Sequence, residues 1–324
     1  MAQHSSRNQP LDILRGIAIL LVLGYHYNYI AIWSRIGWIG VDLFFVLSGF
    51  LVSGLLFSEY KRFGNIDAVR FLVRRGFKIY PAFYTLMVFS VADSLVTQGS
   101  VPRTIWGEVF FLQNYWTHMW PHTWSLAVEE HFYWMLPLLL LLMIRKSSDK
   151  KNPFSSIPWT FVALGYYRHY RPELFARMAR RPLWIPALLL LLPAFVFPLG
   201  NPIMDTIGFT CLYAGFSCLV VWAVDRRSSR GLTARSLAWT GRYSYSIYLW
   251  HFVIGFLVFN GAPNFPMFLL YVATAVGAGA GMSALIEVPH LKLRDRWFPS
   301  RSSQRVAAVA AERAASLQNL ATSG

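Results

Sequence analysis

Long apolar runs recur along the chain, and they limit the folds that it can adopt. Eight of them lie at about residues 11–33, 37–58, 78–98, 122–145, 183–200, 203–224, 243–260 and 265–287. A run of about 18 or more apolar residues is long enough for a helix that crosses a bilayer. Because 55% of the residues are hydrophobic and only 14% are charged, the chain cannot easily supply the surface of a soluble domain. The sequence therefore predicts an all-α fold, a polytopic integral-membrane helical bundle.

Two further stretches leave the number of transmembrane helices between eight and ten. Residues 104–116 are too short to cross the bilayer, and they suit a re-entrant or interfacial helix. Residues 156–170 are weakly apolar and could form half of an extra hairpin. Residues 1–290 are predicted to form the membrane domain. Residues 291–324 are interpreted as a basic, Ala-rich cytoplasmic tail that is partly disordered.

Basic residues alternate between successive connections, and this alternation predicts the orientation of the bundle. They cluster at 59–78, 145–182, 225–242 and after residue 287, whereas the intervening connections carry only Arg35 and Arg103. Since basic loops remain on the cytoplasmic side, we expect a multi-pass protein of the inner (plasma) membrane with both termini in the cytoplasm. The net charge of +15 then belongs to loops that contact membrane lipids, which argues against a nucleic-acid partner.

The first apolar run carries two ionisable residues, Arg15 and His26. Eleven residues correspond to about three helical turns, so the two side chains share one face and lie about 16 Å apart along the axis. Exposure of either ionisable side chain to lipid would cost free energy. This face of the helix is therefore predicted to line a protein interior or a wet cavity. Taken singly, Arg15 could be an interfacial anchor and His26 a helix–helix hydrogen-bonding residue.

Two carboxylates are predicted at a depth similar to that of His26. Asp42 follows a turn centred near Arg35, and His26 precedes it by a similar distance. Glu129 lies about two turns into the fourth run, which enters from the outside near His122. A carboxylate can orient an imidazole and stabilise its charged form, so the set predicts a general base. A buried ion pair that only locks the helices together is the alternative.

Six short segments occur in an order that is typical of one enzyme family. They are LRGIAILLVLGYH, GVDLFFVLSGFL, RRGFKIYPAFY, TWSLAVEEHFYWMLP, SYSIYLWH and IEVP. In this order they resemble the integral-membrane acyltransferase family 3, over about residues 9–290. The resemblance implies an O-acyltransferase that moves an acyl group, commonly acetyl from acetyl-CoA, to a hydroxyl of a cell-envelope glycan or a glycosylated small molecule. Acyl-CoA would then be a donor substrate and not a permanently bound cofactor, and the acceptor a carbohydrate.

The resemblance also implies roles for individual residues. Arg15 and His26 match the Arg-to-His signature of the first helix, with His26 as the catalytic histidine. Glu129 matches the acidic residue of the Ser-Leu-x-x-Glu-x-x-Phe-Tyr motif. The site residues are thus predicted to be His26, Glu129 and Asp42 for catalysis and Arg15, Arg74, Arg75 and Lys78 for the donor.

The donor motif departs from the family pattern in one position. The family has Arg-x-x-Arg before the third span, and Lys78 stands where the second arginine is usual. Lysine keeps the positive charge but cannot form the bidentate contact of a guanidinium with phosphate. Donor phosphates are therefore expected to bind here in a weaker or differently shaped way.

The segment SYSIYLWH places His251 in the middle of the seventh apolar run. A packing hydrogen bond is its favoured interpretation, because no carboxylate is obviously near. Tyr245, Tyr248 and Trp250 are interpreted as an aromatic belt or as the wall of a pocket. The sequence shows no ligand spacing typical of zinc, and we expect no metal site.

Two functions fit these residues. In the first, acyl-CoA enters between Arg15 and the 59–78 loop, and its pantetheine arm extends about 16 Å to His26. His26 then acts as a general base on the acceptor hydroxyl or forms an acyl-histidine intermediate. In the second, His26 and the two carboxylates relay protons in a transporter or flippase, although the sequence has no inverted repeat.

Overall fold

The computed structural model describes residues 8–116, 118–155, 163–258, 264–301 and 303–304, in which regular structure is helical and no strand occurs. The α-helices are α1 Gln9–Tyr27, α2 Ala31–Ile36, α3 Ile39–Phe63, α4 Ala68–Gln98, α5 Ile105–Val109, α6 Trp124–Lys146, α7 Ala163–Tyr170, α8 Pro172–Ala179, α9 Trp184–Val196, α10 Phe209–Val224, α11 Leu232–Arg242, α12 Ser244–Val258, α13 Phe265–Met282 and α14 Val288–Trp297. A π-helical segment, Met204–Gly208, leads into α10, and a second, Ser283–Glu287, joins α13 to α14.

Each of the eight predicted apolar runs coincides with a helix. Within the described residues, six stretches are long and apolar enough to cross a membrane: Gln9–Tyr27, Ile39–Phe63, Ala68–Gln98, Trp124–Lys146, Met204–Val224 and Phe265–Trp297. Helices α8 and α9 qualify only as a pair bent by 78°, and α12 is apolar but shorter. The prediction of an all-α polytopic bundle is confirmed, and the chain is a multi-pass membrane protein.

The structure describes most of the two stretches, 104–116 and 156–170, whose role the sequence left open. Residues 104–116 contain only the short helix α5 followed by turns. Of residues 156–170, the first seven lie outside the described residues, and the rest form α7, which packs against α3. The last apolar helix continues past residue 290 to Trp297. Of the predicted tail, residues 302 and 305–324 lie outside the described residues.

Local signals fix both ends of α1, which carries Arg15 and His26. The side chain of Asn8 accepts a hydrogen bond from the backbone N–H of Leu11 at 3.2 Å and caps the first turn. The helix stops where Asn28 adopts the left-handed conformation with φ 55°, which asparagine tolerates better than most residues. His26 therefore lies in the last turn of the helix, where its side chain is exposed.

Close backbone contacts position α12 beside α1. A Cβ on Gly241 would lie 1.8 Å from the carbonyl oxygen of Asp12, so only glycine allows α11 to approach α1 this closely. Helix α12 begins two residues after α11 and also packs against α1. The hydroxyl of Ser246 donates to Glu287, which holds α12 to the π-helical segment between α13 and α14. This packing brings the SYSIYLWH segment next to the C-terminal end of α1.

Candidate active site

A cavity of about 230 Å³ lies among the C-terminal end of α3, the N-terminal part of α4 and α14, and we call it the basic cavity. Seven of its lining side chains are cationic: Arg62, Arg70, Arg74, Arg75, Lys78, Arg294 and Arg301. One carboxylate, that of Glu59, lines it as well. This excess of cations favours a ligand that carries several negative charges, such as phosphate groups.

The cations of the basic cavity differ in how they are paired. Arg74 donates to Asp295 at 3.1 Å and to the carbonyl oxygen of Phe298. Arg301 forms an ion pair with Glu59 at 3.0 Å. Arg75, in contrast, has a buried Nε without a hydrogen-bond partner in the described structure. The carboxylates of the protein therefore neutralise only part of the positive charge.

A second cavity of about 320 Å³, the inner cavity, adjoins the basic cavity. Leu55, Arg75 and Lys78 line both of them. Arg15 also lines the inner cavity, on the face of α1 that the sequence predicted to border a protein interior. The four predicted donor-binding residues thus lie along two adjoining cavities.

Glu129 occupies the inner cavity with a set of polar neighbours. Tyr133 donates to its Oε2 at 3.0 Å, and the Tyr133 hydroxyl also pairs with Ser48 at 2.6 Å. The guanidinium of Arg75 lies 4.2 Å from the centre of the Tyr133 ring. Arg75 and Lys78 both interact electrostatically with the Glu129 carboxylate. The predicted catalytic carboxylate is therefore next to two of the predicted donor-binding cations.

Asp42 lines a third cavity of about 430 Å³, to which Glu129 and Ser48 also contribute. Its carboxylate is buried and accepts a hydrogen bond from the hydroxyl of Tyr213 at 3.1 Å. The two predicted carboxylates thus border one cavity, as their similar depth suggested. Asp42 is held by α10, whose proximity the sequence did not reveal.

His26 has a different set of neighbours from the one expected. Its ring packs 5.1 Å from that of His251 and 4.6 Å from that of Phe252, measured between centroids. Among the contacts of the described residues, neither Asp42 nor Glu129 touches His26. The expected tight hairpin after α1 is interrupted by α2, so the depths of His26 and Asp42 do not bring them together. Helix α12 fills the position beside His26 instead.

A third histidine completes what we call the histidine cluster: His26, His122 and His251. The rings of His122 and His251 are 5.0 Å apart, and Phe252 stacks on His122 at 4.6 Å. Both rings are buried, whereas His26 is exposed at the end of α1. The cluster therefore extends from the protein interior to the surface where α1 ends.

Tyr248 and Ser125 separate the inner cavity from the histidine cluster. Both residues line the inner cavity, and their hydroxyl groups are hydrogen-bonded at 2.7 Å. The Tyr248 hydroxyl also contacts the carbonyl oxygen of His122 at 2.7 Å. The Tyr248 ring lies 5.5 Å from that of His251. Of the two interpretations of Tyr248 and Tyr245, the pocket wall is confirmed, because both line the inner cavity.

Several residues at this site escaped the sequence reasoning. Arg294 and Arg301 belong to a segment interpreted as a tail, and only the packing of α14 against α4 brings them to the cavity. The three-residue spacing of Tyr245, Tyr248 and His251 was a usable signal, because residues three apart on a helix are neighbours. Within the described residues, no group of three or more His, Cys, Asp or Glu side chains is arranged to hold a metal ion.

The loop that carries His122 is anchored by a buried carboxylate outside the spanning helices. Glu108 accepts hydrogen bonds from the Thr123 hydroxyl at 2.9 Å and from the Met119 N–H at 3.0 Å. Burial raises the pKa of Glu108, and these hydrogen bonds oppose that shift. The contact fixes residues 118–123 and so the position of His122 beside α12.

Comparison with known proteins adds an independent line of support. A family model described as an acyltransferase domain matches residues 8–157 and 148–287. The peptidoglycan O-acetyltransferase OatA of Listeria monocytogenes is 30% identical over 168 residues, which cover 46% of this chain and 27% of that protein. The O-acetyltransferase OatA of Staphylococcus aureus is 31% identical over 180 residues, covering 50% and 30%. The putative peptidoglycan O-acetyltransferase YrhL of Bacillus subtilis is 27% identical over 313 residues, covering 78% and 49%.

The chain spans less than half the length of each of these relatives. No solved structure matches it. The two segments matched by the family model together run from residue 8 to residue 287, and they contain α1, both carboxylates and the histidine cluster. The resemblance carried by six short segments is thereby confirmed, and the chain belongs to the integral-membrane acyltransferase family 3.

Proposed function

We propose that this protein is a membrane O-acyltransferase that takes an acyl group, most simply acetyl, from acyl-CoA and transfers it to a hydroxyl of a cell-envelope glycan. One observation carries the proposal: the cationic basic cavity adjoins an inner cavity that extends to within one side chain of the histidine cluster. A ligand with a phosphorylated end and a long neutral arm matches this arrangement. The relatives named as peptidoglycan O-acetyltransferases support a glycan acceptor.

The donor's phosphates occupy the basic cavity in this proposal. Arginine side chains bind phosphate through paired, charge-assisted hydrogen bonds. Arg75 lines this cavity, and its buried Nε has no hydrogen-bond partner in the described structure. The pantetheine arm then follows the inner cavity, whose remaining lining is largely apolar. Arg15 borders the arm, about 16 Å below His26 along α1. The cations of the cavity come from residues 59–78 and 294–301, two of the basic segments of the chain, so this end of the protein is assigned to the cytoplasmic side.

The thioester reaches His26 only when the hydrogen bond between Tyr248 and Ser125 opens, because this pair closes the inner cavity. His26 then removes the proton of the acceptor hydroxyl as general base. The bond between the acceptor oxygen and the acyl carbon forms, and the bond between that carbon and sulfur breaks. The proton passes from His26 to the departing thiolate of coenzyme A. The exposed position of His26 allows a glycan to approach from the outer face.

The decisive measurement is the His26→Gln variant in washed membranes supplied with labelled acetyl-CoA. Glutamine can hydrogen-bond across helices, but it can neither take the acceptor's proton nor carry an acyl group. We expect normal expression and at least about a 100-fold loss of transfer. His169→Gln is the matched control, because His169 lies on α7 and, within the described residues, its ring bonds only to the Gly165 carbonyl of the same helix.

Two results would contradict the proposal. Ordinary transfer by well-expressed His26→Gln protein would remove His26 from the reaction. Wild-type membranes that consume no acetyl-CoA but move a solute or lipid would favour a transporter that uses the same residues.

A further inference from the structure

Two buried histidines near His26 each carry a ring nitrogen without a partner. His122 and His251 are 2% and 0% exposed. His122 Nδ1 and His251 Nε2 form no hydrogen bond within the described structure. A buried polar atom without a partner is uncommon and destabilising. These two atoms therefore point to a contact that the site makes in another state.

The hydrogen bonds of the other ring nitrogens define which nitrogens carry hydrogen. His251 Nδ1 bonds to the carbonyl oxygen of Tyr248, and His122 Nε2 bonds to that of Leu249 at 3.2 Å. A carbonyl oxygen can only accept, so these two nitrogens are the donors. A neutral imidazole carries a single N–H, and the unpartnered nitrogens are therefore bare acceptors. For His122, burial lowers the pKa to about 3, which keeps the ring neutral at physiological pH.

The bare nitrogen of His251 needs a donor, and His26 is the histidine that can supply one. His122 cannot, because its own free nitrogen is also an acceptor. The centroids of the His26 and His251 rings are 5.1 Å apart with a tilt of 41°. An N–H···N hydrogen bond of about 3 Å between two imidazoles in line places their centroids about 5 Å apart. A rotation of the exposed His26 ring at its present distance therefore brings the two nitrogens into contact.

We propose that His251 is the positioning residue for His26, a role that rests on the proposed acyl transfer. One nitrogen of His26 donates its hydrogen to His251 Nε2, which leaves the other nitrogen bare and directed to the acceptor. When His26 takes the acceptor's proton, the hydrogen bond to His251 stabilises the resulting imidazolium. His251 thus fills the place that a carboxylate has in other histidine-based sites. The proton later leaves His26 for the thiolate of coenzyme A, and His251 stays neutral throughout.

A pair of substitutions separates this role from simple packing. His251→Asn keeps a donor for the Tyr248 carbonyl but has no atom at the place of Nε2. His251→Gln puts an amide oxygen near that place and gives up the bond to Tyr248. We expect His251→Asn to lower kcat by about 100-fold with an unchanged donor KM, and His251→Gln to lower it by less than about tenfold. A packing residue would give the reverse order, and any result in which His251→Asn is not the slower variant overturns the proposal.

A second measurement does not depend on variants of His251 or on activity. Nitrogen-15 NMR of wild-type protein with labelled histidine should show His251 protonated on Nδ1 and bare on Nε2. The Nε2 resonance of His251 should shift in the His26→Gln protein, because its donor is lost. A His251 protonated on Nε2, or one that does not respond to His26→Gln, refutes the pairing. If wild-type protein transfers no acyl group, the proposed function fails, while the NMR result still decides whether His251 pairs with His26.

Discussion

Two adjacent arginines of α4 offer a quantitative test of the donor path. Both Arg74 and Arg75 line the basic cavity, but only Arg75 also lines the inner cavity. Arg74 is already held by Asp295 at 3.1 Å and by the Phe298 carbonyl. Arg75 has an unpartnered Nε. A phosphate that binds Arg74 must displace existing contacts, whereas one that binds Arg75 gains a new hydrogen bond.

This difference gives two expected magnitudes. A hydrogen bond to a charged group contributes about 1.5–3 kcal/mol, and about 1.4 kcal/mol corresponds to a tenfold change in affinity. We therefore expect Arg75→Gln to raise the apparent donor KM by about 10-fold to 150-fold. For Arg74 the gain is offset by the lost ion pair with the exposed Asp295, about 1 kcal/mol or less, and by the lost hydrogen bond to the Phe298 carbonyl, about 1 kcal/mol. A net gain of at most about 1 kcal/mol remains. Arg74→Gln should then raise the donor KM by about fivefold or less.

The assay is transfer from labelled acetyl-CoA in washed membranes, with the donor concentration varied and expression matched. Arg103→Gln serves as the control, because Arg103 is an exposed arginine in the connection that follows α4 and lines none of the three cavities. An unchanged donor KM with normal turnover in Arg75→Gln would refute the assignment. If Arg74→Gln raised the donor KM as much as Arg75→Gln, the existing contacts of Arg74 would not reduce its contribution to donor binding, and this reasoning would be refuted.

Three further expectations concern the barrier, the anchoring loop and the topology. Tyr248→Phe keeps the ring but loses the hydrogen bonds to Ser125 and to the backbone. At about 1 kcal/mol per bond, the two lost bonds correspond to about 2 kcal/mol, so acceptor-independent hydrolysis of acetyl-CoA should rise about 30-fold. An unchanged hydrolysis rate would contradict the barrier. Glu108→Ala leaves buried donors unpaired at about 1–3 kcal/mol each, so the melting temperature in detergent should fall. Glu108→Gln resembles the protonated acid favoured by the raised pKa, and its melting temperature should be close to that of the wild type. An equal fall in melting temperature in both variants would exclude the hydrogen bonds of Glu108 as the anchor of the loop. Reporter fusions at Asn201 and Gln318 should report opposite sides of the membrane; the same side for both would refute the alternation of basic loops.

The sequence by itself determined the helices, and it singled out four residues, Arg15, Arg74, Arg75 and Lys78, that line two adjoining cavities. Eight apolar runs predicted eight helical stretches, because the length and composition of a run decide locally whether it can satisfy its backbone in lipid. The spacing of Arg15 and His26 predicted a polar face on α1, and Arg15 does line the inner cavity. Short segments with fixed order identified the family. All of these signals lie within single stretches of chain, which is why they can be read without a structure.

The tertiary structure decided which side chains meet. Depth along a helix was predictable, but rotation about the helix axis and the choice of neighbouring helix depend on packing between distant segments. For this reason the carboxylates expected beside His26 lie elsewhere, with Asp42 bonded to Tyr213 and Glu129 next to Arg75. The glycine contact between α11 and α1 instead brings α12 to the end of α1. His251 reaches His26 only through this contact, which joins segments more than 200 residues apart and therefore has no local signature.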